Sequence, residues 1–242
     1  MLEYAIEKLK EAGIRELIVV IGKQSAQLYA EYFGSGEKWG VKIAFVVQER
    51  AAGIADALSL VEPLIPRGEK FAVLLGDNLF EDSLRDEVER FSGQPSGARV
   101  LLKKVPDPRR YGVPVIEGTR IRDIEEKPAH PKSDYCVTGI YFYDTGVFDK
   151  IRAIAPSARG ELEISDVNAL YAREGTLTYG ILQGWWTDAG TFASFSEASA
   201  RMERVDEKPA GAKGNDKTTR AKTANGIPEN PAQTVGKEGE NA

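Results

Sequence analysis

An acidic side chain follows a short apolar run in the segment Phe71-Ala-Val-Leu-Leu-Gly-Asp-Asn-Leu-Phe80. The run Phe71–Leu75 predicts a strand that is buried on both faces, and Gly76 ends it. Asp77 then lies at the carboxyl edge of the sheet, where parallel α/β sheets bind their ligands. A carboxylate in that position suits Mg²⁺, which takes oxygen ligands. On these residues alone an ordinary turn is the simpler interpretation, because Gly, Asp and Asn all favour turns.

Polar residues that follow two other predicted strands suit a base and a sugar phosphate. Gln48 can pair with the donor and acceptor edge of a base, and Gly53 lets a flat ring approach the backbone. Lys127 offers a point charge for a phosphate, and Glu126 can accept hydrogen bonds from sugar hydroxyls. A polar loop and a solvated charge run explain the same residues without any ligand.

Three further positions carry weaker indications of a ligand. Gly139 lies inside a predicted strand, which often marks the close approach of a ligand or of another backbone. Arg159 lies near the start of a predicted helix, whose N-terminus favours anions. Asp188 lies between bulky aromatic residues and a glycine in Gly184-Trp-Trp-Thr-Asp-Ala-Gly190. Taken alone, that last motif is more simply a core segment with a helix cap.

Composition and charge exclude several classes of function. Of the 242 residues 42% are hydrophobic and 29% are charged, which is typical of a globular protein. The 37 acidic residues outnumber the 32 basic ones, so nucleic acid is not an expected partner. Cys136 and His130 are the only residues of their types, which excludes a disulfide within the chain and a Cys/His zinc site. His130 lies in a proline-flanked loop, where a catalytic role is not expected.

No membrane partner is expected, because no apolar run approaches the roughly 20 residues of a membrane span. No signal peptide opens the chain, so a cytoplasmic location is expected.

Alternating helices and strands must position these side chains. The first part of the chain predicts a helix that closes at Ala12-Gly13, a strand over Glu16–Gly22, a helix over 24–33, a strand over Val41–Gln48, a helix over Ala55–Val61, a strand over Lys70–Leu75, and a helix over 82–91 capped by Asp82 and Ser83. This alternation predicts an α/β fold with a doubly wound, mostly parallel, Rossmann-like sheet.

From residue 98 onward the pattern predicts antiparallel additions to that sheet. The predicted strands are Ala98–Val105, Val113–Ile116, Arg120–Glu126, Tyr135–Tyr143 and Thr176–Leu182, and the predicted helices are Asp144–Ala155, Leu162–Arg173 and Phe192–Glu203. Residues 1–205 are expected to form one domain. Residues 206–242 hold scarcely an apolar side chain beyond alanine, so they cannot offset the entropy of ordering and are expected to form a disordered tail.

The order of the motifs is much more specific than any one of them. It runs Gln48…Gly53…Leu75-Gly-Asp-Asn78…Arg110-Tyr-Gly-Val113…Glu125-Glu-Lys-Pro128…Val137-Thr-Gly139…Arg159-Gly-Glu-Leu-Glu163…Trp186-Thr-Asp-Ala-Gly190. In this order the chain, up to about residue 203, resembles the sugar-1-phosphate nucleotidylyltransferases. Within that family it is most similar to the short form of the glucose-1-phosphate thymidylyltransferases.

The resemblance implies a role for each matching position. Asp77 and Asp188 would ligate a catalytic Mg²⁺, and Gln48 and Gly53 would hold the thymine or uracil base. The remaining implied contacts are with the sugar (Tyr111, Gly112, Glu126, Val137 and Thr138) and with its phosphate (Lys127 and Arg159). The implied catalytic residues are Asp77, Lys127 and Asp188.

The implied reaction is an in-line attack by a glucose-1-phosphate oxygen on the α-phosphorus of dTTP, which releases pyrophosphate. Uridylyl transfer from UTP and a non-catalytic sugar-nucleotide-binding module stay open as alternatives. Members of the family tend to form homo-oligomers, so the resemblance points to a homo-oligomer, while the sequence itself does not fix the oligomeric state.

The start of the family's pattern has no counterpart in these 242 residues. That pattern opens with a strand, a glycine-rich G-G-x-G-T-R-L loop and a Pro-Lys pair, and the loop would bind the β- and γ-phosphates. The chain as written is therefore expected to be a poor enzyme or inactive, and an undercalled start codon or a fragment would explain the difference. Because the strand would be central to the sheet, Leu17–Ile21 and Phe71–Leu75 are expected to have unpaired edges.

Overall fold

The computed structural model describes residues 1–191 and, beyond them, Ser194, Ser196 and Ala198. Apart from these three positions, the predicted helix over 192–203 and the predicted tail over 206–242 lie outside the described residues. The helices are α1 (Leu2–Glu11), α2 (Ala26–Phe33), α3 (Ile54–Ser59), α4 (Arg85–Gly93), α5 (Val147–Ala153) and α6 (Ile164–Glu174). The strands are β1 (Glu16–Gly22), β2 (Lys42–Gln48), β3 (Lys70–Leu74), β4 (Asn78–Phe80), β5 (Ala98–Lys104), β6 (Gly112–Glu117), β7 (Arg120–Glu126), β8 (Tyr135–Asp144), β9 (Leu177–Ile181) and β10 (Trp186–Asp188).

The predicted elements within the described residues are found, with small shifts at their ends. Strands β4 and β10 are additional to the prediction, because three residues are too few to show an alternating pattern. Of the two predicted caps of α4, which begins at Arg85 after Leu84, Ser83 accepts a hydrogen bond from the Arg85 N–H over 3.3 Å. Asp82 is wrong as a cap, because its carboxylate accepts hydrogen bonds from the backbone N–H groups of Gln183 and Gly184 instead.

The central sheet has four strands in the order β3-β8-β5-β9. Strand β8 runs antiparallel to both of its neighbours, and β5 pairs in parallel with β9. Smaller pairs are β1–β2, which is parallel, and β6–β7 and β4–β10, which are antiparallel. The α/β class with antiparallel additions is confirmed. The antiparallel share is larger than predicted, because β8 lies between β3 and β5 and runs opposite to both.

Alternate residues of β8 pack on opposite faces of the central sheet. Tyr141 and Tyr143 belong to the core that α5 and α6 complete on one face. Ile140 and Phe142 pack on the other face, against Phe91 of α4 and its neighbours. The sheet is therefore covered on both faces, as expected for an α/β fold. In the part of the chain that the structure describes, no helix combines the length and the apolar character that crossing a bilayer requires.

A large apolar groove runs between β1 and β3. Within the described residues β1 pairs only with β2 and β3 only with β8, so Leu17–Ile21 and Phe71–Leu75 each have the expected unpaired edge. The groove has a volume of about 1220 Å³ and is lined by both of these runs and by the apolar face of α1. We call it the interstrand groove. The five residues of β3 are only partly buried there, although such runs are typical of strands covered on both faces.

Candidate active site

The short antiparallel pair of β4 and β10 brings the two predicted metal ligands together. Asp188 is the register partner of Asn78, and the backbone N–H of Ala189 donates to the carbonyl of Asp77 over 2.8 Å. A Cβ atom on Gly190 would lie 2.8 Å from Asp188 Oδ1 and 3.4 Å from Asp77 Oδ2. The two carboxylates, 111 residues apart in sequence, therefore face one point beside a glycine.

Two charged side chains hold the turn that leads into β10. Asp82 accepts hydrogen bonds from the backbone N–H groups of Gln183 (2.9 Å) and Gly184 (2.8 Å). The ammonium group of Lys103 donates to the carbonyls of Leu182, Gln183 and Gly184. Both the donors and the acceptors of this turn are thus satisfied by ionised groups, which are the stronger hydrogen-bonding partners.

A pocket of about 180 Å³ adjoins the carboxylate pair, because Asp188 lines it. The pocket is also lined by most of the residues that the resemblance assigns to the sugar and its phosphate. These are Tyr111, Gly112, Glu126, Lys127, Val137 and Arg159. They come from β6, β7, β8 and the segment before α6, so the fold unites positions that are spread over about 50 residues.

Two cations, Lys127 and Arg159, and three carboxylates, of which Glu161 lies 3.8 Å from Arg159, form a charged cluster at this pocket. The Arg159 guanidinium donates to both carboxylate oxygens of Glu163 over 2.9 Å and to Glu126 Oε1 over 3.3 Å. Hydrogen bonding to Glu163 is the main reason that the pKa of Arg159 is raised. The ammonium group of Lys127 lies 3.4 Å from Glu126 Oε1. The charges of Lys127 and Arg159 are therefore already paired with carboxylates.

Glu126 also accepts a hydrogen bond from a neutral side chain. The hydroxyl of Ser165, at the start of α6, donates to Glu126 Oε2 over 2.6 Å. A Cβ atom on Gly112 would lie 2.7 Å from that hydroxyl oxygen, so a glycine at this position leaves room for the pair. Glu126 is thus held from two sides, with its carboxylate at the pocket.

The backbone at Lys127 has an uncommon conformation. Its φ is 44°, and no other non-glycine residue within the described part of the chain has a positive φ. The Lys127 N–H donates to the carbonyl of Tyr111 over 3.0 Å, which ties the end of β7 to the start of β6. Conformations of this kind cluster at binding sites, where the surrounding structure enforces them.

Tyr111 and Trp186 form the aromatic side of the pocket. Their rings meet edge to face, with centroids 5.5 Å apart. The guanidinium carbon of Arg110 lies 5.8 Å from the centroid of the Tyr111 ring. Burial is the main cause of the raised pKa of Tyr111, so the phenol stays neutral and keeps its proton as a hydrogen-bond donor.

Gln48 and Gly53 lie outside this small pocket and line the interstrand groove instead. The Gln48 amide donates to Asp56 Oδ2 over 2.7 Å and to the carbonyl of Gly53 over 3.3 Å. A Cβ atom on Gly53 would lie 2.4 Å from the carbonyl oxygen of Leu162, so the packing of that backbone by itself requires a glycine here. The approach of a base to Gly53 stays a prediction. The groove and the pocket adjoin, since Ile54 lines both.

Thr138 does not point into the pocket. Its side chain is fully buried, and its hydroxyl donates to the carbonyl of Leu101 over 2.9 Å. Thr138 is therefore not among the residues that line the pocket, contrary to the expectation, because the alternation of β8 turns its side chain away from the side that Val137 and Gly139 present.

Several pocket residues are additional to those predicted, namely Asn78, Arg110, Glu163, Ser165 and Trp186. Each stands within two residues of a predicted site position, apart from Glu163 and Ser165, which follow Arg159 by four and six residues. Proximity to Asp77, Tyr111 and Asp188 was the available indication for the other three. The role of Ser165 depends on the packing of α6 against β7, which no local pattern indicates.

The donor set suits a hard divalent cation. Mg²⁺ in nucleotide sites is usually held by one or two carboxylates together with substrate phosphates, and Asp77 with Asp188 supplies two. Among the described residues no group of three or more His, Cys, Asp or Glu side chains converges on one point. A cage made of protein ligands alone is accordingly not what this site offers.

A family model described as "Nucleotidyl transferase" matches residues 1–216. The chain belongs to the nucleotidyl transferase family. Among curated members of the family, the glucose-1-phosphate thymidylyltransferase of Actinoplanes sp. is 38% identical over 211 residues, which are 86% of this chain and 69% of the relative. The glucose-1-phosphate thymidylyltransferase of Neisseria meningitidis is 37% identical over 209 residues, or 85% of this chain and 72% of the relative.

Solved structures of nucleotidyl transferases superpose on the fold. A Bacillus anthracis protein assigned as a glucose-1-phosphate thymidylyltransferase, in complex with sucrose, has a TM-score of 0.79 and 44% identity, covering 88% of this chain and 84% of its own. A UDP-glucose pyrophosphorylase complexed with UDP-glucose has a TM-score of 0.74 at 23% identity, covering 84% of this chain and 86% of its own, which shows the shared fold alone. This nucleotidyl transferase therefore has the mixed α/β fold that its relatives share.

Proposed function

We propose that the site transfers a thymidylyl group from dTTP to glucose-1-phosphate, giving dTDP-glucose and pyrophosphate. The observation that carries the proposal is the convergence of Asp77 and Asp188 beside a pocket that also holds Lys127 and Arg159. Curated relatives at 37–38% identity that are named glucose-1-phosphate thymidylyltransferase support the choice of substrates.

In the proposed reaction a phosphate oxygen of glucose-1-phosphate bonds to the α-phosphorus of the nucleotide. The bond between that phosphorus and the bridging oxygen breaks, and the electron pair leaves with pyrophosphate. Lys127 and Arg159 would orient the attacking phosphate, and Glu126 would accept hydrogen bonds from the sugar hydroxyls. Mg²⁺ held by Asp77 and Asp188 would neutralise charge that develops on the phosphates. No protein nucleophile is required, which agrees with the burial of Cys136.

Two alternatives rest on specific observations. Gln48 can pair with uracil as well as with thymine, and a UDP-glucose pyrophosphorylase shares the fold, so uridylyl transfer from UTP is the second candidate. The charged cluster of Glu126, Lys127 and Arg159 is intact without the glycine-rich loop, which also suits a non-catalytic sugar-nucleotide-binding module.

Calorimetric titration with dTDP-glucose and with UDP-glucose separates the two nucleotide assignments. We expect tighter binding of dTDP-glucose, whereas equal or reversed affinities would favour the uridylyl alternative. One sample is the 242-residue chain, and a second sample carries an added triphosphate-binding loop at its start. Tight binding without pyrophosphate release, in a chain to which that loop has been added, would instead favour the binding module.

The metal assignment is tested by charge removal at one ligand. In Asp188→Asn we expect weaker Mn²⁺ binding, because an amide oxygen replaces a carboxylate at a two-carboxylate site. Asp149→Asn is the matched control, since Asp149 is an exposed acid on α5 that pairs with Arg152. Equal Mn²⁺ affinities in Asp188→Asn and Asp149→Asn would contradict the assignment.

A further inference from the structure

Asn78 is a buried polar residue at the centre of the candidate active site. Only 3% of its surface is exposed, and it follows Asp77 directly. Its side-chain oxygen accepts hydrogen bonds from the backbone N–H of Gly139 and from the indole N–H of Trp186, both over 2.8 Å. Its side-chain nitrogen donates to Asp77 Oδ1 over 3.0 Å. The amide therefore joins three segments that are distant in sequence.

The orientation of this amide is determined by its partners. The groups on Gly139 and Trp186 can only donate, so the atom between them must be the amide oxygen. The amide nitrogen consequently faces Asp77. Rotating the amide by half a turn would place two donors against N–H groups and a lone pair against a carboxylate. Only this orientation of the Asn78 amide gives hydrogen bonds to the Gly139 N–H, the Trp186 indole N–H and the Asp77 carboxylate together.

The surrounding backbone leaves space for this one side chain. A Cβ atom on Gly139 would lie 2.5 Å from the amide nitrogen of Asn78, which explains why a glycine interrupts the buried strand β8. The glycine expected to mark a close approach thus marks the approach of Asn78. Leu75 links the backbones of both residues, because its N–H donates to the carbonyl of Gly139 (2.9 Å) and its carbonyl accepts from the N–H of Asn78 (3.0 Å).

We propose that Asn78 is a positioning residue that sets the direction of the Asp77 carboxylate toward Asp188. Its amide occupies Asp77 Oδ1, which leaves Oδ2 as the oxygen that faces Gly190 and the Asp188 carboxylate. The same amide holds β10 through Trp186, two residues before Asp188. One buried side chain therefore fixes both carboxylates. The inference rests on the proposed function, because it takes the carboxylates of Asp77 and Asp188 to bind a divalent cation.

Outer hydrogen-bond partners of metal ligands typically change metal affinity by about 10–100-fold when they are removed. We expect Asn78→Leu, which keeps the approximate volume but makes none of the three hydrogen bonds, to weaken Mn²⁺ binding by about that factor. Mn²⁺ affinity is measured on the full chain by the loss of the free-ion signal in electron paramagnetic resonance. Glucose-1-phosphate affinity, measured by calorimetry, should change far less, because Lys127 and Arg159 are left in place. General loosening of the fold would weaken both.

Asn168→Leu is the matched control. Asn168 is also buried, with 1% of its surface exposed, and accepts a hydrogen bond from the Tyr143 hydroxyl over 2.6 Å in the core under α6. This variant should lose stability and keep its Mn²⁺ affinity. If Asn78→Leu does not fold, Gly139→Ala serves instead, because its methyl group must displace the Asn78 amide. Wild-type Mn²⁺ affinity in whichever of the two variants is folded would overturn the inference.

Asp77→Asn and Asp188→Asn separate this inference from the proposed function. If both weaken Mn²⁺ binding while Asn78→Leu or Gly139→Ala does not, only the positioning role is overturned. If neither carboxylate variant changes Mn²⁺ affinity, the carboxylate pair is not a metal site, and the positioning role is overturned with it.

Discussion

At the scale of single residues, the site depends on side chains whose partners hold them before any ligand binds. Lys127 is the clearest example, because both its backbone and its ammonium group are constrained. A φ of 44° places it in the left-handed region, which costs about 1–2 kcal/mol for a residue with a side chain. The contact of its N–H with Tyr111 offsets part of that cost and directs the side chain to the pocket.

Two substitutions of Lys127 separate the effect of its backbone conformation on stability from the effect of its charge on sugar-phosphate binding. Lys127→Ala and Lys127→Gly both remove the ammonium group, so each should lose about tenfold in glucose-1-phosphate affinity, the loss of one hydrogen bond to a charged group. Lys127→Gly should be the more stable of the two by about 1 kcal/mol, since glycine adopts positive φ without a steric cost. Calorimetry gives the affinities and urea unfolding gives the stabilities. Equal losses of nucleotide and sugar-phosphate affinity in both variants would indicate misfolding instead.

Cys136 provides a pH-dependent prediction at the same scale. Burial raises the pKa of its thiol from 9.0 to about 12. The folded state therefore keeps the proton at a pH where the unfolded state loses it. The contribution of the protonated Cys136 thiol to the free energy of unfolding is fully present below pH 9, and it is lost as the pH rises from 9 toward about 12.

Two measurements check this prediction. The native thiol should not react with a disulfide reagent at pH 8, and it should react after unfolding, because the thiolate is the reactive form. In Cys136→Ala the decline in the free energy of unfolding above pH 9 should be shallower than in the unsubstituted chain. Rapid reaction of the native thiol at pH 8 would contradict the assigned burial.

At the scale of elements, the site is built by the two strands that the sequence pattern does not show. The long apolar runs of β1, β3 and β8 were predictable as strands from their composition, although among the three only β8 is buried along nearly its whole length. The segments of β4 and β10 have three residues each, and each contains one residue that favours turns, Asn78 and Asp188. Their pairing depends on Asp82 and Lys103, which lie outside both strands, and on the contact of Asn78 in β4 with Trp186 in β10, so local propensity could not indicate it.

The motif order predicts most of the residues that line the pocket, and for two predicted site residues the structure shows a contact that the sequence does not indicate. The alternation of β8 turns the Thr138 hydroxyl to the carbonyl of Leu101. The absence of a side chain at Gly53 makes room for the backbone of Leu162. In both cases the residue type indicated a close contact, and only the tertiary packing determines which group makes it.

The hydrogen bonds of Asp82 to the turn before β10 are expected to stabilise the position of that strand. Asp82→Ala leaves the N–H groups of Gln183 and Gly184 without their acceptor, so the free energy of unfolding should fall by about 1–2 kcal/mol. Mn²⁺ affinity should fall as well, because β10 carries Asp188. Asp134→Ala is the control, since its pair with Lys104 is exposed and surface pairs contribute little. An Asp82→Ala variant as stable as Asp134→Ala would show that Lys103 alone holds the turn.

At the scale of the whole molecule, the dominant feature is the interstrand groove. The groove has a volume of about 1220 Å³, and within the described residues it is bounded by the unpaired edges of β1 and β3, to which an added strand can pair. A segment that carries a strand and a glycine-rich phosphate-binding loop, fused ahead of Met1, would test whether the groove takes a strand that covers the apolar face of α1.

Adding that segment should raise both stability and activity. The thermal midpoint should rise as apolar surface is buried, and pyrophosphate release from dTTP and glucose-1-phosphate should increase by at least about 10²–10³-fold, the effect of restoring one donor group to developing charge. The control is the same extension with two prolines in its strand, which cannot complete the hydrogen-bond ladder. Turnover by the 242-residue chain equal to that of the extended chain would refute the expectation of impaired activity.

The pairing of Arg159 with Glu163 and Glu126 has a consequence for how the pocket fills. A phosphate ester that reaches the guanidinium exchanges one anion for another, because the carboxylates already accompany the cation. Few small ions from the solvent are displaced in such an exchange. Occupancy by glucose-1-phosphate should therefore vary only gently with the concentration of added sodium chloride, unlike binding at a bare cluster of lysines and arginines.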